Sequence, residues 1–112
     1  MAHTISLDIN QRIKTCNLLS QSRGTTGDYR LNCQLMDLLE LSSDEIKEHR
    51  VSARDVEALG IRSFHWDPSD DFTRAFELKP ALWMRLKALF ETSQFTPQDR
   101  PWLEPILEQL GI

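Results

Sequence analysis

The stretch "FHWDPSDDFTRAFEL", residues 64–78, sets two alternating runs on either side of an acidic turn. Phe64 and Trp66 fall on one face of the first run. Phe72, Phe76 and Leu78 fall on one face of the second, and Arg74 interrupts it. The intervening "DPSDD" is turn chemistry: Pro68 presets φ for a type I turn, and Asp67 accepts hydrogen bonds from amides ahead of it. The pattern predicts a two-stranded antiparallel β-hairpin over about residues 62–78. A lone hairpin is marginal in water, so its apolar face must lie on helices. Arg74 then sits at the edge of that face, its stem packed and its head in solvent or on an acid.

Outward from the hairpin the periodicity is helical. Ile9, Ile13, Cys16 and Leu19 or Ser20 mark a helix over about residues 8–19, capped by Ser6 or Asp8. "SQSRGTTGD" breaks it, and Thr26 or Asp28 restarts a helix over 28–40 with Leu31, Leu35, Leu38 and Leu39 in one stripe. Cys33 and Met36 flank that stripe, and the short loop suits an antiparallel pair. Ser42 with Glu45 forms a capping box, and Leu41 with Ile46 the accompanying staple, for a helix over 43–50. Ser52 and Asp55 predict another over 53–59, with Val56 and Leu59 inward and Gly60 as its stop.

Beyond the hairpin, Pro80 opens a helix over 80–92 whose buried stripe is Leu82, Leu86, Leu89 and Phe90, with Trp83 beside it. Pro101 and Pro105 interrupt the C-terminal segment. They predict one turn near 97–100 and a final helix over 101–110 that buries Leu103, Ile106, Leu107 and Leu110. The expected fold class is α+β: a mostly helical single domain with one two-stranded antiparallel hairpin.

A chain of 112 residues is the size of one domain. No apolar run approaches the ~18–20 residues that span a bilayer, and the N-terminal residues lack the pattern of a secretory signal, so a cytoplasmic, non-membrane protein is expected. The net charge of −4 argues against nucleic acid as partner, because phosphate neutralisation drives most of that affinity. Arg12, Lys14, Arg23 and Arg30 read as part of a mixed solvated surface. Cys16 and Cys33 lack the spacing and the further ligands of a zinc site, and read as buried free thiols.

Chemistry-bearing candidates concentrate in the hairpin. His65, Asp67, Asp70 and Asp71 offer nitrogen and oxygen ligands within seven residues. A calcium loop, however, needs a glycine and a closing glutamate, and zinc needs more nitrogen or sulfur. Solvated acids that cap their own backbone are the plainer reading, with His65 directed to solvent. No nucleophile elbow, phosphate loop or dinucleotide fingerprint occurs, and no cofactor is indicated. "GTTGD" at 24–28 lacks the lysine and preceding strand of a phosphate loop.

The element order resembles a family of small uncharacterised proteins of tailed phages and prophages. The matching pieces are "SSDEIKE" at 42–48, "WDP…FEL" at 66–78, the Trp83 helix, and "TP…L" from Thr96 to Leu103. The resemblance spans about residues 7–107, with "VSARDVEALGIRS" as an insertion. It implies phage origin and a similar α+β architecture, and brings no activity or site residue.

An acidic surface, three tryptophans and missing catalytic motifs favour a non-enzymatic protein–protein interaction or regulatory module. Its candidate partner-binding residues are His65, Trp66, Arg74, Trp83 and Trp102. The tryptophans serve equally as core. Free hairpin edges favour a homodimer. The alternative is a small metal-dependent or hydrolytic enzyme centred on the acidic turn.

Overall fold

The computed structural model describes residues 3–56, 61–67 and 70–112, with the backbone alone at 53–56 and 61–64. Its elements are β1 (His3–Asp8), α1 (Ile9–Gln21), α2 (Thr26–Leu39), α3 (Ser43–Glu48), β2 (Ser52–Val56), β3 (Ile61–His65) and β4 (Thr73–Leu78). α4 (Pro80–Thr92), a 3-10 turn (Pro97–Asp99) and α5 (Arg100–Leu110) complete the chain. The fold is α+β and mostly helical. It comprises two compact units, Met1–Glu40 with Thr73–Ile112, and Leu41–Phe72.

In the first unit β1 pairs antiparallel with β4 in an unbroken register from His3↔Leu78 to Asp8↔Thr73. "HTISLD" alternates, so Ile5 and Leu7 enter the core while Thr4 faces out. Asp8 ends the strand and caps α1 by a reciprocal box with Gln11: each backbone N–H donates to the other's side-chain oxygen, at 2.7 and 2.9 Å. Thr25 and Asp28 repeat the device at the start of α2. Ile5, Leu7, Phe76 and Leu78 from the sheet pack with Leu35 and Leu39 of α2, Leu82, Leu86, Leu89 and Phe90 of α4, and Leu103, Ile106 and Leu110 of α5. The expected stripes of the last two helices are thus the core. Leu107 is half-buried against it.

In the second unit the Ser42–Glu45 capping box starts α3 as expected. The helix stops because Arg50 adopts φ +53. The N–H of Arg50 then donates to the C=O of Lys47 and that of Val51 to the C=O of Ile46, which is a Schellman closure. β2 and β3, consecutive in the chain, pair antiparallel from Ser52↔His65 to Val56↔Ile61.

Two expectations are corrected here. A hairpin exists, but it is β2–β3, not the pairing of residues 62–66 with 72–78. The two runs of "FHWDPSDDFTRAFEL" lie in different sheets, because β4 takes β1 as its partner. The helix over 53–59 is likewise not formed at 53–56, which are strand. A helix of so few residues with only Val56 and Leu59 to bury lacks the packing that offsets nucleation, and pairing with β3 supplies ladder hydrogen bonds instead. Leu59, Gly60 and Pro68 lie outside the described residues.

Candidate functional site

In the first unit β4 has a strand on one side, β1, and among the described residues none on the other. On the far side of the two-stranded sheet, Gln109 of α5 closes the edge of β1. Its Oε1 accepts from the N–H of Ser6 at 2.7 Å, and its Nε2 donates to the C=O of Ser6 at 2.9 Å. One side-chain amide therefore stands in for a neighbouring strand. These bonds also fix the pleat. Ser6 directs its amide groups away from β4, so its cross-strand partner Ala75 directs its own away from β1. Glu77, two residues on, does the same. Ala75 and Glu77 are exposed, and among the described residues no strand pairs with that edge of β4.

Phe76 lies on the inner face of β4, buried, with two guanidinium groups at its ring. Arg12 and Arg74 each bring Cζ to 5.1 Å from the ring centroid. Arg74 is exposed and shares the inner side of its strand with Phe76 and Leu78, as the alternation predicts. Arg12 is 1% exposed, which corrects its placement on a solvated surface. Its Nε donates to the C=O of Leu39 and its Nη2 to the C=O of Glu40, both at 2.8 Å. These are terminal carbonyls of α2 that have no helical partner, and the cation also complements the negative end of the helix. The buried face of α1 runs through Arg12, Thr15 and Leu19, whereas Ile13 and Cys16 are only half-buried. The i, i+3, i+7 spacing of those three residues was the available signal, masked by the polarity of two of them.

In the second unit His49 and Asp70 form a pair that residue spacing does not reveal. Their Nδ1 and Oδ2 lie 2.7 Å apart, and the imidazole stacks on Phe72 at 4.2 Å between centroids. Asp70 Oδ1 accepts from the N–H of Phe72 at 3.0 Å. That backbone bond, then the bond to His49, lowers the Asp70 pKa from the ordinary carboxylate value. An ionised Asp70 holds the proton on Nδ1, the orientation found in acid–base dyads. His49 Nε2 is buried and finds no hydrogen-bond partner among the described residues. A general base needs that nitrogen open to substrate, so the pair serves as a clasp between α3 and residues 70–72.

The other sequence candidates are scattered. His65 is exposed at the end of β3, where its C=O accepts from the Ser52 hydroxyl at 3.5 Å, and Trp66 after it is half-buried. Trp83 is half-buried against the core and stacks on His3 at 4.5 Å. Trp102 packs edge-on to Phe95 and donates Nε1–H to Asp99 at 3.2 Å. Asp70 of the acidic turn is engaged by His49 and Phe72, and among the described residues no three of His, Cys, Asp and Glu could hold a metal ion.

Arg85 of α4 ties the first unit together by donating to Asn32 at 2.8 Å and to Ser22 at 2.9 Å. An open groove of about 390 Å³ lies nearby between the ends of α1 and α4, lined by Leu18, Ser22, Arg23, Leu89 and Thr92 among others. Cys16 and Cys33 are free thiols, both half-buried. Burial, and then Glu40, push the Cys16 thiol up to about 11, which keeps it protonated and unreactive at neutral pH. No described helix is long and apolar enough to cross a membrane.

Comparison with protein-family models, with curated proteins and with solved structures finds no match to this chain.

Proposed function

We propose that the protein is a non-enzymatic protein–protein interaction module that receives an extended segment of its partner along the outer edge of β4. The observation that carries this reading is the asymmetry of the β1–β4 sheet. Gln109 closes one edge with both groups of its amide, while Ala75 and Glu77 leave the other to be paired. An added strand would take main-chain hydrogen bonds from these two residues. Arg74 and Glu77 would select among partners by charge.

The resemblance to small tailed-phage and prophage proteins belongs to the same reading, and makes the partner a phage or host protein. A cytoplasmic setting fits the free thiols of Cys16 and Cys33.

Affinity capture with the wild-type chain and with Ala75→Pro tests it. Proline at 75 removes an N–H that points away from β1 and leaves the internal ladder intact. Capture of a protein by the wild type and its loss with Ala75→Pro supports strand addition. Equal capture by both chains, or capture by neither, contradicts it.

A further inference from the structure

We infer that residues 41–72 open and close as one latched unit while the first unit stays folded, and that the His49–Asp70 pair is the latch. The path of the chain permits this. The second unit is inserted between α2 and β4, and the residues flanking it are both held at the start of α1. The C=O of Glu40 accepts from Arg12 at 2.8 Å, and Thr73 pairs with Asp8, the cap of α1. Both anchors belong to the first unit. So does every described residue of its buried cluster, and its two strands pair with each other. Opening of residues 41–72 therefore takes no strand, anchor or core residue from the first unit.

The second unit is built from elements that do not stand alone. α3 has six residues, below the length at which a helix is stable in water. β2 and β3 have five each, and a single two-stranded hairpin is marginal. Leu41–Phe72 as a whole falls below the ~40 residues that fold without a disulfide, a metal or a partner, and it contains no cysteine. Its opening free energy therefore belongs at the low end of the molecule's range.

The latch stands where these elements meet. Ser52↔His65 is the open end of the hairpin, and His49 and Asp70 join the chain just beyond it on either side. His49 is also the C-cap of α3, its N–H donating to the C=O of Glu45 at 3.0 Å. Its ring stacks on Phe72, the last residue of the unit, whose N–H donates to Asp70. One pair thus ties the end of the helix, the mouth of the hairpin and the exit of the chain, so the three open together. At 2.7 Å from an ionised Asp70 the bond is charge-assisted, stronger than one between neutral groups.

Amide hydrogen exchange of the full chain at neutral pH, in low concentrations of urea, reads the opening of each unit separately. In the wild type the amides of Ile46, His49 and Val51, all bonded to carbonyls of residues 42–46, should share one opening constant. That constant should lie at least ~10-fold above those of Phe76 and Leu78 in β4. Asp70→Asn keeps the shape of the side chain and removes its charge. It should raise the shared constant a further ~10-fold and leave Phe76 and Leu78 unchanged.

One opening constant common to both sets in the wild type overturns the inference, as does a first unit that opens more readily than the second. Asp70→Asn that speeds both sets equally, or that fails to fold at all, shows one cooperative body and also overturns it. Acceleration confined to Phe72, or none, removes the pair as latch.

Discussion

Arg12, Arg50 and Asp70 each hold the chain where its direction changes, and each by different physics. Arg12 satisfies the last carbonyls of α2 from inside the core. Arg12→Ala should leave those acceptors unpaired beside a cavity and cost about 3 kcal/mol in urea unfolding. Arg12→Lys cannot fork to two carbonyls and should recover less than half of it. Arg50 sits at φ +53, a conformation that favours glycine. Arg50→Gly should therefore raise stability by about 0.5–1 kcal/mol, measured by the same unfolding, because relief of backbone strain exceeds the added unfolded-state entropy. Asp70 has a carboxyl pKa lowered by Phe72 N–H and His49. Folding therefore favours its ionised form. The stabilisation is present above the unfolded value of about 4 and is lost as pH falls through the lower folded value. Melting temperatures of wild type and Asp70→Asn should differ at pH 7 and draw together as the pH falls below about 4.

At the scale of elements, the signals that could be read were local ones. The Ser42–Glu45 box, Pro80 at the head of α4 and the leucine stripes of α4 and α5 each lie within one or two turns of chain, and each formed as expected. Strand pairing is not local. Residues 64–66 and 73–78 both alternate across a turn-like segment, yet β4 pairs with β1 some seventy positions earlier, and no spacing announces that choice. β1 was itself hidden, because Ser6 and Asp8 read as caps for α1, and Asp8 does serve as one. Arg12 was hidden by its charge, since its acceptors belong to another helix. The candidate site was legible in one residue, Arg74, whose place on the apolar side of its strand follows from alternation. The His49–Asp70 clasp joins positions 21 apart and was not legible. The closure of β1 by α5 is testable at this scale. Gln109→Leu removes both bonds to Ser6 and should lower stability by about 1 kcal/mol in the same denaturation. It should also speed amide exchange at Ser6.

For the whole molecule, we assign one edge of one sheet to internal use and the other to association. The helices bury the inner faces of β1 and β4, α5 closes the outer side of β1, and among the described residues the outer side of β4 has paired-strand chemistry and no strand. Residue-resolved amide hydrogen exchange tests this most directly, on the chain alone and on the chain bound to the protein it captures. The N–H groups of Phe76 and Leu78 face β1 and should exchange slowly in both samples. Those of Ala75 and Glu77 should exchange rapidly in the chain alone and slow markedly in the complex. Ala75 and Glu77 exchanging at one rate in both samples, whether fast or slow, would contradict association through the β4 edge.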